Sequence, residues 1–374
     1  MKSFRAVYRG IDAFRISARR CQSSYAHLEP EMQARKIRPI FDDLTPLNSF
    51  RLDVSLADFI PGAIAPTLLP HPTSNLPLPI PHHLLYFEPT LPAPDLLPDG
   101  TNPAHSPGAP FHRRMWAGGN VLYSRTSPLP LSGARAVCIE GIRSATVKGR
   151  PGSEKVFVGI ERRLGLLTSL ETSALAKVDA TDEAAVAQIE DDVRGRLWRD
   201  RDDDMGECGV VERRNIVFLQ EEGRAEKVGD AALKEQTGGG QGKKEGKILK
   251  PNREATLFRH TIVPDSRLLF RFSALTFNAH AIHLDPLFCR EKEGHRDLLF
   301  HGPLSFTFLM VLLQRNLGPG EKVGFVEYRN LAPVYCNEEI TFCGAKDGEG
   351  KYEVWAEGPD GGVKVKGTVR TAKG

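Results

Sequence analysis

The apolar positions in the second half of the chain form one long run and several short ones. Residues 302–317 are apolar on nearly every side, the pattern of a fully buried helix, and Gly318-Pro319-Gly320 is expected to end it. Short segments follow, with Gly-rich turns between the last three, and predict strands at 322–328, 338–344, 351–357 and 362–370. One buried helix followed by antiparallel strands predicts an α+β unit, a curved sheet wrapped on its helix.

The first half contains the same kinds of segment in a less regular form. Prolines are dense over 61–110, which excludes a long helix or a central strand there, apart from a helical turn predicted at 82–87. Short apolar runs predict strands at 136–140, 156–160 and 216–219. Residues 170–207 are rich in Ala, Asp, Glu and Arg, and predict a surface helical insertion.

A polar, glycine-rich segment at 222–252 is typical of a flexible linker. It predicts two halves, 45–221 and 253–374, and residues 268–275 predict one more strand in the second half. Three residues of the first half recur 205 positions later, Tyr123, Pro128 and Cys138 as Tyr328, Pro333 and Cys343. This repetition favours a duplicated unit.

Residues 1–25 differ in composition from the rest of the chain. They contain six Lys and Arg residues against one acidic residue, Asp12, and apolar residues recur among them at helical spacing. This composition is typical of a mitochondrial transit peptide, with a solvated basic helix as the alternative. The formal net charge of the whole chain is only +3, which argues against a nucleic-acid partner.

Two further features restrict the class of protein. The six cysteines include no CxxC pair, as expected in a reducing compartment. The longest apolar stretch is too short to cross a bilayer, so the sequence predicts no membrane-spanning segment.

Polar groups with catalytic potential are concentrated at 271–286 and at the start of the predicted buried helix. They are Asn278, His280, His283, Asp285 and His301. Moving a proton on and off carbon near neutral pH favours an imidazole, and a carbonyl that gains negative charge favours the N–H groups of a helix start. Both ingredients are close together here.

The Asn278-x-His280-x-x-His283 segment resembles the hydratase-2 (MaoC-like) motif of hot-dog enzymes, where an Asp, an Asn and a His occupy these places. Together with His301-Gly302-Pro303-Leu304 and the upstream segment 113–119, it is similar to the eukaryotic hydroxyacyl-thioester dehydratase type 2 group, whose relatives include bacterial mesaconyl-CoA-type hydratases. The resemblance covers roughly residues 45–165 and 206–370.

The resemblance implies a double hot-dog fold with one catalytic half, here the C-terminal one. It implies that His283 takes the C2 proton and that the Gly302 amide holds the thioester oxygen. Asn278 stands where a carboxylate is usual, and an amide can orient a water molecule but cannot transfer protons. Either His280 is then a second acid–base group or His283 alone shuttles the proton.

Other residues have two interpretations each. His301 either contributes to the substrate site or caps the buried helix. Arg271 either neutralises a substrate phosphate or forms an ordinary salt bridge. The pairs Arg113-Arg114 and Arg213-Arg214 are candidates for docking an acidic acyl carrier protein. A metal site from the histidines and Asp285 does not follow a familiar zinc spacing, and none is predicted.

The implied activity is reversible dehydration of (3R)-3-hydroxyacyl thioesters to trans-2-enoyl thioesters in mitochondrial type II fatty acid synthesis, in the matrix and without a cofactor. The substrate would be carried by acyl carrier protein or CoA, and a homodimer is compatible with the resemblance. One alternative is a hydratase of short or branched dicarboxylic CoA esters, which a basic residue in the acyl pocket would favour. Another is a non-catalytic acyl-thioester-binding protein.

Overall fold

The structure is a computed structural model that describes residues 24–220 and 256–373. The predicted transit peptide, apart from residues 24 and 25, and the predicted linker at 222–252 lie outside the described residues. Within the described part, none of the helices is long and apolar enough to span a membrane.

The first half combines short helices with five strands of a large sheet. Its helices are α1 (Leu28–Gln33), α2 (Pro46–Leu56), α3 (Ser169–Lys177) and α4 (Glu183–Leu197). Its strands are β1 (Ile40–Asp43), β2 (Leu76–Pro77), β3 (Arg113–Tyr123), β4 (Pro130–Leu131), β5 (Arg135–Lys148), β6 (Lys155–Leu166) and β7 (Val210–Leu219), with β2 and β4 forming a separate two-stranded sheet. The proline-rich segment contains only short elements, as predicted, among them a 3-10 turn at His82–Leu85.

In its described part, the second half has one strand, three α-helices and then four consecutive strands. They are β8 (Thr256–Ile262), α5 (Ser266–Leu275), α6 (Pro286–Phe288), α7 (Gly302–Gln314), β9 (Glu321–Asn330), β10 (Ile340–Lys346), β11 (Lys351–Glu357) and β12 (Val363–Lys373). The predicted buried helix and the four strands after it are confirmed. Nine of the thirteen residues of α7 are buried, so the sheet of this half packs around it.

The two halves form one ten-stranded antiparallel sheet. Its strand order is β1-β5-β6-β7-β3-β9-β12-β11-β10-β8, so the second half repeats the order of the first in reverse from the central β3–β9 pair. Tyr123 and Tyr328 lie on the equivalent strands β3 and β9, and Cys138 and Cys343 on β5 and β10. The repetition in the sequence therefore corresponds to a repeated structural unit, although the first half packs the short His82–Leu85 turn into its core instead of a long helix.

Residues 268–275 form a helix, so the strand predicted there is wrong. Asp265 caps α5 by accepting the Leu268 N–H at 2.9 Å, and the buried side chains Leu268, Leu269, Phe272 and Ser273 follow helical spacing. A short apolar run fits both periodicities, and the cap together with packing against α2 decides for the helix.

The predicted insertion is helical, as α3 and α4. Val193 and Leu197 of α4 are buried against Val137 and Ile139 of β5, so the insertion covers the outer face of the first half's sheet. A capping box at Thr168 and Glu171 starts α3.

The β3–β9 junction requires glycine. Gly118 has φ +130, and an added Cβ would lie 2.2 Å from Tyr328 O on the neighbouring strand. At Gly119 the corresponding distance to Arg213 O is 1.9 Å. The backbones of β3, β7 and β9 approach so closely that a side chain cannot stand between them.

We expect Gly118→Ala to destabilise the protein by roughly 3 kcal/mol or more, because it combines backbone strain with a clash between strands. Gly152→Ala is the matched control, since Gly152 also has positive φ, +82, but has open space around its Cβ position. That variant is expected to lose only about 1–2 kcal/mol. If chemical denaturation gave equal losses of unfolding free energy for the two variants, the close approach of the strands would be unimportant for stability.

Candidate active site

A cavity of about 370 Å³ lies between the two halves and is lined by both. From the second half it receives the loop after α5, including Asn278, His280 and His283, and the start of α7 at Gly302. From the first half it receives β3, the loop before it and a group of charged side chains. Those charged side chains are Glu88, Arg113, Arg114, Glu140, Arg162 and Arg214.

The motif loop is held by its own polar groups. The Asn278 side-chain oxygen accepts the His280 N–H at 3.0 Å, and the Asp285 carboxylate accepts the N–H groups of Leu287 and Phe288 at 2.8 and 3.1 Å. Asp285 therefore caps α6. These bonds fix the loop on which His280 and His283 are presented.

His283 is oriented by a hydrogen bond and a stacked ring. Its Nδ1 lies 2.8 Å from Leu299 O, and because a carbonyl only accepts, Nδ1 must carry the proton. Nε2 is then unprotonated and able to accept a proton. The ring stacks on His301 with centroids 3.6 Å apart and meets the His280 ring edge-on at 5.6 Å.

His301 lies behind His283. It is fully buried, its Nε2 is 2.9 Å from Ser273 Oγ, and it is absent from the described residues that line the cavity. It is the residue before α7, yet its side chain makes no capping hydrogen bond. The structure therefore places His301 as a support for the His283 ring, in neither of the two predicted positions.

His280 faces a carboxylate that sequence reasoning missed. Its Nε2 lies 3.5 Å from Asp99 Oδ2, and Asp99 belongs to the loop that precedes β3 in the first half. No spacing rule connects positions 99 and 280, so only the Pro98-Asp99-Gly100 turn signal was available in the sequence.

Gly302 begins α7 at the cavity wall. An added Cβ would lie 2.7 Å from Asn330 Nδ2, and that amide is itself fixed by donating to Trp116 O at 2.8 Å. The glycine thus allows β3 and β9 to approach the helix start. A helix N-terminus presents N–H groups and a partial positive charge, which suits an oxygen that gains negative charge.

The predicted arginines have different surroundings. Arg271 is exposed on α5 and is not among the described cavity-lining residues, so the structure does not bring it into the site. Arg113 pairs with Glu293 at 2.7 Å, Arg213 with Glu161 at 2.8 Å, and Arg214 with Glu212 at 2.9 Å, while Arg114 lies 3.9 Å from Asp99. Each arginine of the two predicted docking pairs therefore has a carboxylate neighbour within the chain.

A buried ionic network contributes to the cavity lining from the first half. Arg162 lies 3.2 Å from both Glu140 and Glu212 and donates to Phe87 O at 2.8 Å. Burial alone would raise the pKa of Glu212, but Arg214, His83 and Arg162 lower it to about 2. Glu140, held by His105 and Arg162, likewise has its pKa lowered to about 2 despite its burial. Both carboxylates therefore stay charged inside the protein.

Burial has the largest effect on the pKa values of the two motif histidines, His280 and His283. Burial lowers the pKa of His283 to about 4, against the opposing effect of its bond to Leu299 O. Burial also lowers the pKa of His280 well below its usual range, and His283 and Arg114 act in the same direction. Among the residues described here, no group of three or more His, Cys, Asp or Glu side chains could hold a metal ion.

Comparison with known proteins shows the family of the chain. The profile of the family described as "Hydroxyacyl-thioester dehydratase type 2" matches residues 81–174 and 167–336, more than half of the chain. The chain belongs to the hydroxyacyl-thioester dehydratase type 2 family. It is therefore a hydro-lyase with hydratase or dehydratase activity.

Individual relatives place this family membership in context. The mesaconyl-C(4)-CoA hydratase of Chloroflexus aurantiacus is 29% identical over 324 residues, which cover 85% of this chain and 92% of the relative. The mitochondrial hydroxyacyl-thioester dehydratase type 2 of Schizosaccharomyces pombe is 24% identical and covers 71% and 77%. A MaoC-like dehydratase structure from Phytophthora capsici aligns with a TM-score of 0.51 at 13% identity, covering 92% and 99%, and confirms the hot-dog fold.

We expect the His283 ring of this dehydratase-family protein to remain neutral at pH 6, because protonation requires a charge in a buried site and the pKa is about 4. Its neutral form, which can accept a proton, is lost only as the pH falls through that value. A ¹⁵N NMR titration, with His283→Gln used to assign the resonance, would measure this directly. Titration near pH 6.5 would contradict the effect of burial.

Proposed function

We propose that the protein reversibly dehydrates (3R)-3-hydroxyacyl thioesters to trans-2-enoyl thioesters. The observation that carries the proposal is the meeting, at one cavity wall, of His283 with an unprotonated Nε2 and the N-terminus of α7 at Gly302. The first is suited to accept a proton from carbon, and the second to hold the oxygen on which charge then builds.

The proposed reaction uses groups of this chain alone. His283 Nε2 takes the C2 proton, and the electron pair moves into the thioester to give an enolate held by the Gly302 N–H. The C3–O bond then breaks, and the hydroxyl leaves as water with a proton from His280 or from His283 itself. The thioester acidifies the C2–H bond, so the step requires no redox or organic cofactor.

The proposed setting is mitochondrial fatty acid synthesis with acyl-carrier-protein or CoA thioesters. Its support is the composition of residues 1–25 and the names of two yeast relatives, both called mitochondrial. Apolar side chains in the cavity could receive an acyl chain. They include Leu96, Ile216, Leu219, Phe272, Ile282 and Leu299.

We expect the chain without residues 1–25 to hydrate crotonyl-CoA, followed by loss of the enoyl-thioester absorbance. His283→Ala should lower kcat by about 10²- to 10⁴-fold, the usual contribution of a general base, while the melting temperature stays close to that of the wild type. His27→Ala, an exposed histidine before α1, is the matched control and should be fully active.

Two results would contradict this account. Full activity of His283→Ala would mean that the base is assigned wrongly. A wild-type protein that binds CoA and carrier-bound thioesters tightly but turns none of them over would favour the non-catalytic alternative.

A second candidate substrate class is the CoA esters of short dicarboxylic acids. Arg214 lies on the cavity wall, with Nε 2.9 Å from Glu212 and the guanidinium 4.8 Å above the Trp116 ring. We propose that this guanidinium receives the second carboxylate, since arginine recognises carboxylates well. The relative named mesaconyl-C(4)-CoA hydratase supports the same class.

If this class is correct, Arg214→Gln should lower kcat/KM for mesaconyl-CoA roughly 10- to 100-fold, the range expected for one charge-assisted pair. The kcat/KM for crotonyl-CoA, which lacks the second carboxylate, should fall much less. Arg213→Gln is the matched control, because Arg213 precedes it on β7 and pairs with Glu161 away from the cavity. Equal losses for both substrates would argue against a dicarboxylic substrate.

A further inference from the structure

The C-terminal motif carries Asn278 where the hydratase-2 pattern has a carboxylate, but a carboxylate approaches His280 from the other half of the chain. Asp99 Oδ2 lies 3.5 Å from His280 Nε2, and the Asp99 side chain is buried. We infer that Asp99 is the positioning residue of His280 and supplies the counter-charge for a proton on that ring. This inference rests on the proposed dehydration and assigns His280 as its second acid–base group.

The local structure fixes the Asp99 carboxylate in place. Its Oδ1 accepts the Thr101 N–H at 3.0 Å and the Thr101 hydroxyl at 2.5 Å. Its backbone carbonyl accepts the Ala281 N–H at 2.9 Å, and a Cβ added to Gly100 would lie 2.1 Å from Ala279 O. The Asp99 loop is therefore packed directly onto the motif loop and is held independently of the His280 side chain.

The second carboxylate oxygen faces both His280 and Arg114, and His280 is the nearer of the two. No residue in the described part of the chain donates a hydrogen bond to Asp99 Oδ2. The other charged or titratable groups around His280 are Arg114, whose Nε is 3.9 Å from the same oxygen, His283, and His301 behind it. Asp99 is thus the described anionic neighbour of His280, whereas Arg114 and His283 both disfavour a charge on that ring.

This arrangement gives each histidine one role in dehydration. Neutral His283 takes the proton from C2, and the electron pair forms the enolate. Protonated His280 gives its proton to the hydroxyl as the C3–O bond breaks, so that water leaves. The two rings then exchange a proton through solvent to restore the starting state. Asp99 lowers the cost of the protonated form of His280, as a buried carboxylate does for the base in a catalytic triad.

The test compares Asp99→Asn with the wild type over a range of pH. A carboxylate raises the pKa of a neighbouring imidazole, so its removal lowers the pH at which His280 loses its proton. The basic limb of the kcat profile for dehydration is expected to move down by about one unit or more, and kcat at pH 7 to fall at least about tenfold. KM should change little, because Asp99 is not among the described residues that line the cavity.

Controls separate this role from a purely structural one. Asp99→Glu keeps the charge, so it should restore part of kcat and move the basic limb of the pH profile back toward its wild-type position. Asp95 is an exposed aspartate in the same proline-rich segment, and Asp95→Asn should match the wild type. An unmoved basic limb in a folded Asp99→Asn protein, with a change only in KM or melting temperature, would overturn the inference. The proposed function would stand in that case, because wild-type turnover tests it separately.

A second measurement needs neither activity nor a stable variant. Asp99 as acceptor is expected to keep the proton of neutral His280 on Nε2, and ¹⁵N chemical shifts of the wild-type ring report this tautomer. His280→Gln identifies the resonance. A proton on Nδ1 instead would overturn the inference, whether or not the protein turns over any thioester.

Discussion

The pairing of β3 with β9 is the constraint on which the rest of the structure depends. Val121 pairs with Val326 near its centre, and the glycines at 118 and 119 let three backbones approach closely. This pair joins two five-stranded halves into one sheet and sets the loop before β3 beside the motif loop after α5. The cavity, and the contact between Asp99 and His280, exist only because these strands pair in this register.

Burial then determines the chemistry of the site. Excluding water from the imidazoles of His280 and His283 disfavours their charged forms, which keeps a base neutral but makes an acid hard to form. Near His280 the protein places the Asp99 carboxylate, and in the cavity lining from the first half it balances Arg162 and Arg214 against Glu140 and Glu212. A buried ionic network of this kind contributes little net stability, so its position at the cavity is the more informative property.

Much of the fold could be predicted from the sequence because its strongest signals are local. The apolar run of α7 and the four strands after it have one consistent periodicity, and the repeated Tyr and Cys positions indicated the duplication. The strand prediction for residues 268–275 was wrong because a short apolar run fits a strand and a helix equally. The choice between them depends on the Asp265 cap and on tertiary packing. The short turn at His82–Leu85 shows that equivalent places in the two halves need not hold equally long helices.

The candidate site could be predicted only as far as one stretch of sequence contains it. Asn278, His280, His283 and Gly302 lie on the cavity wall, whereas Arg271 on the exposed face of α5 and His301 behind His283 do not. Asp99 and the ionic network come from the other half, where no spacing relates them to the motif. A duplicated fold allows this separation of roles, because one half can keep the proton-transfer groups while the other supplies charges that tune them. The departure at Asn278 is therefore no argument against catalysis, since a carboxylate can approach His280 from a loop of the other half.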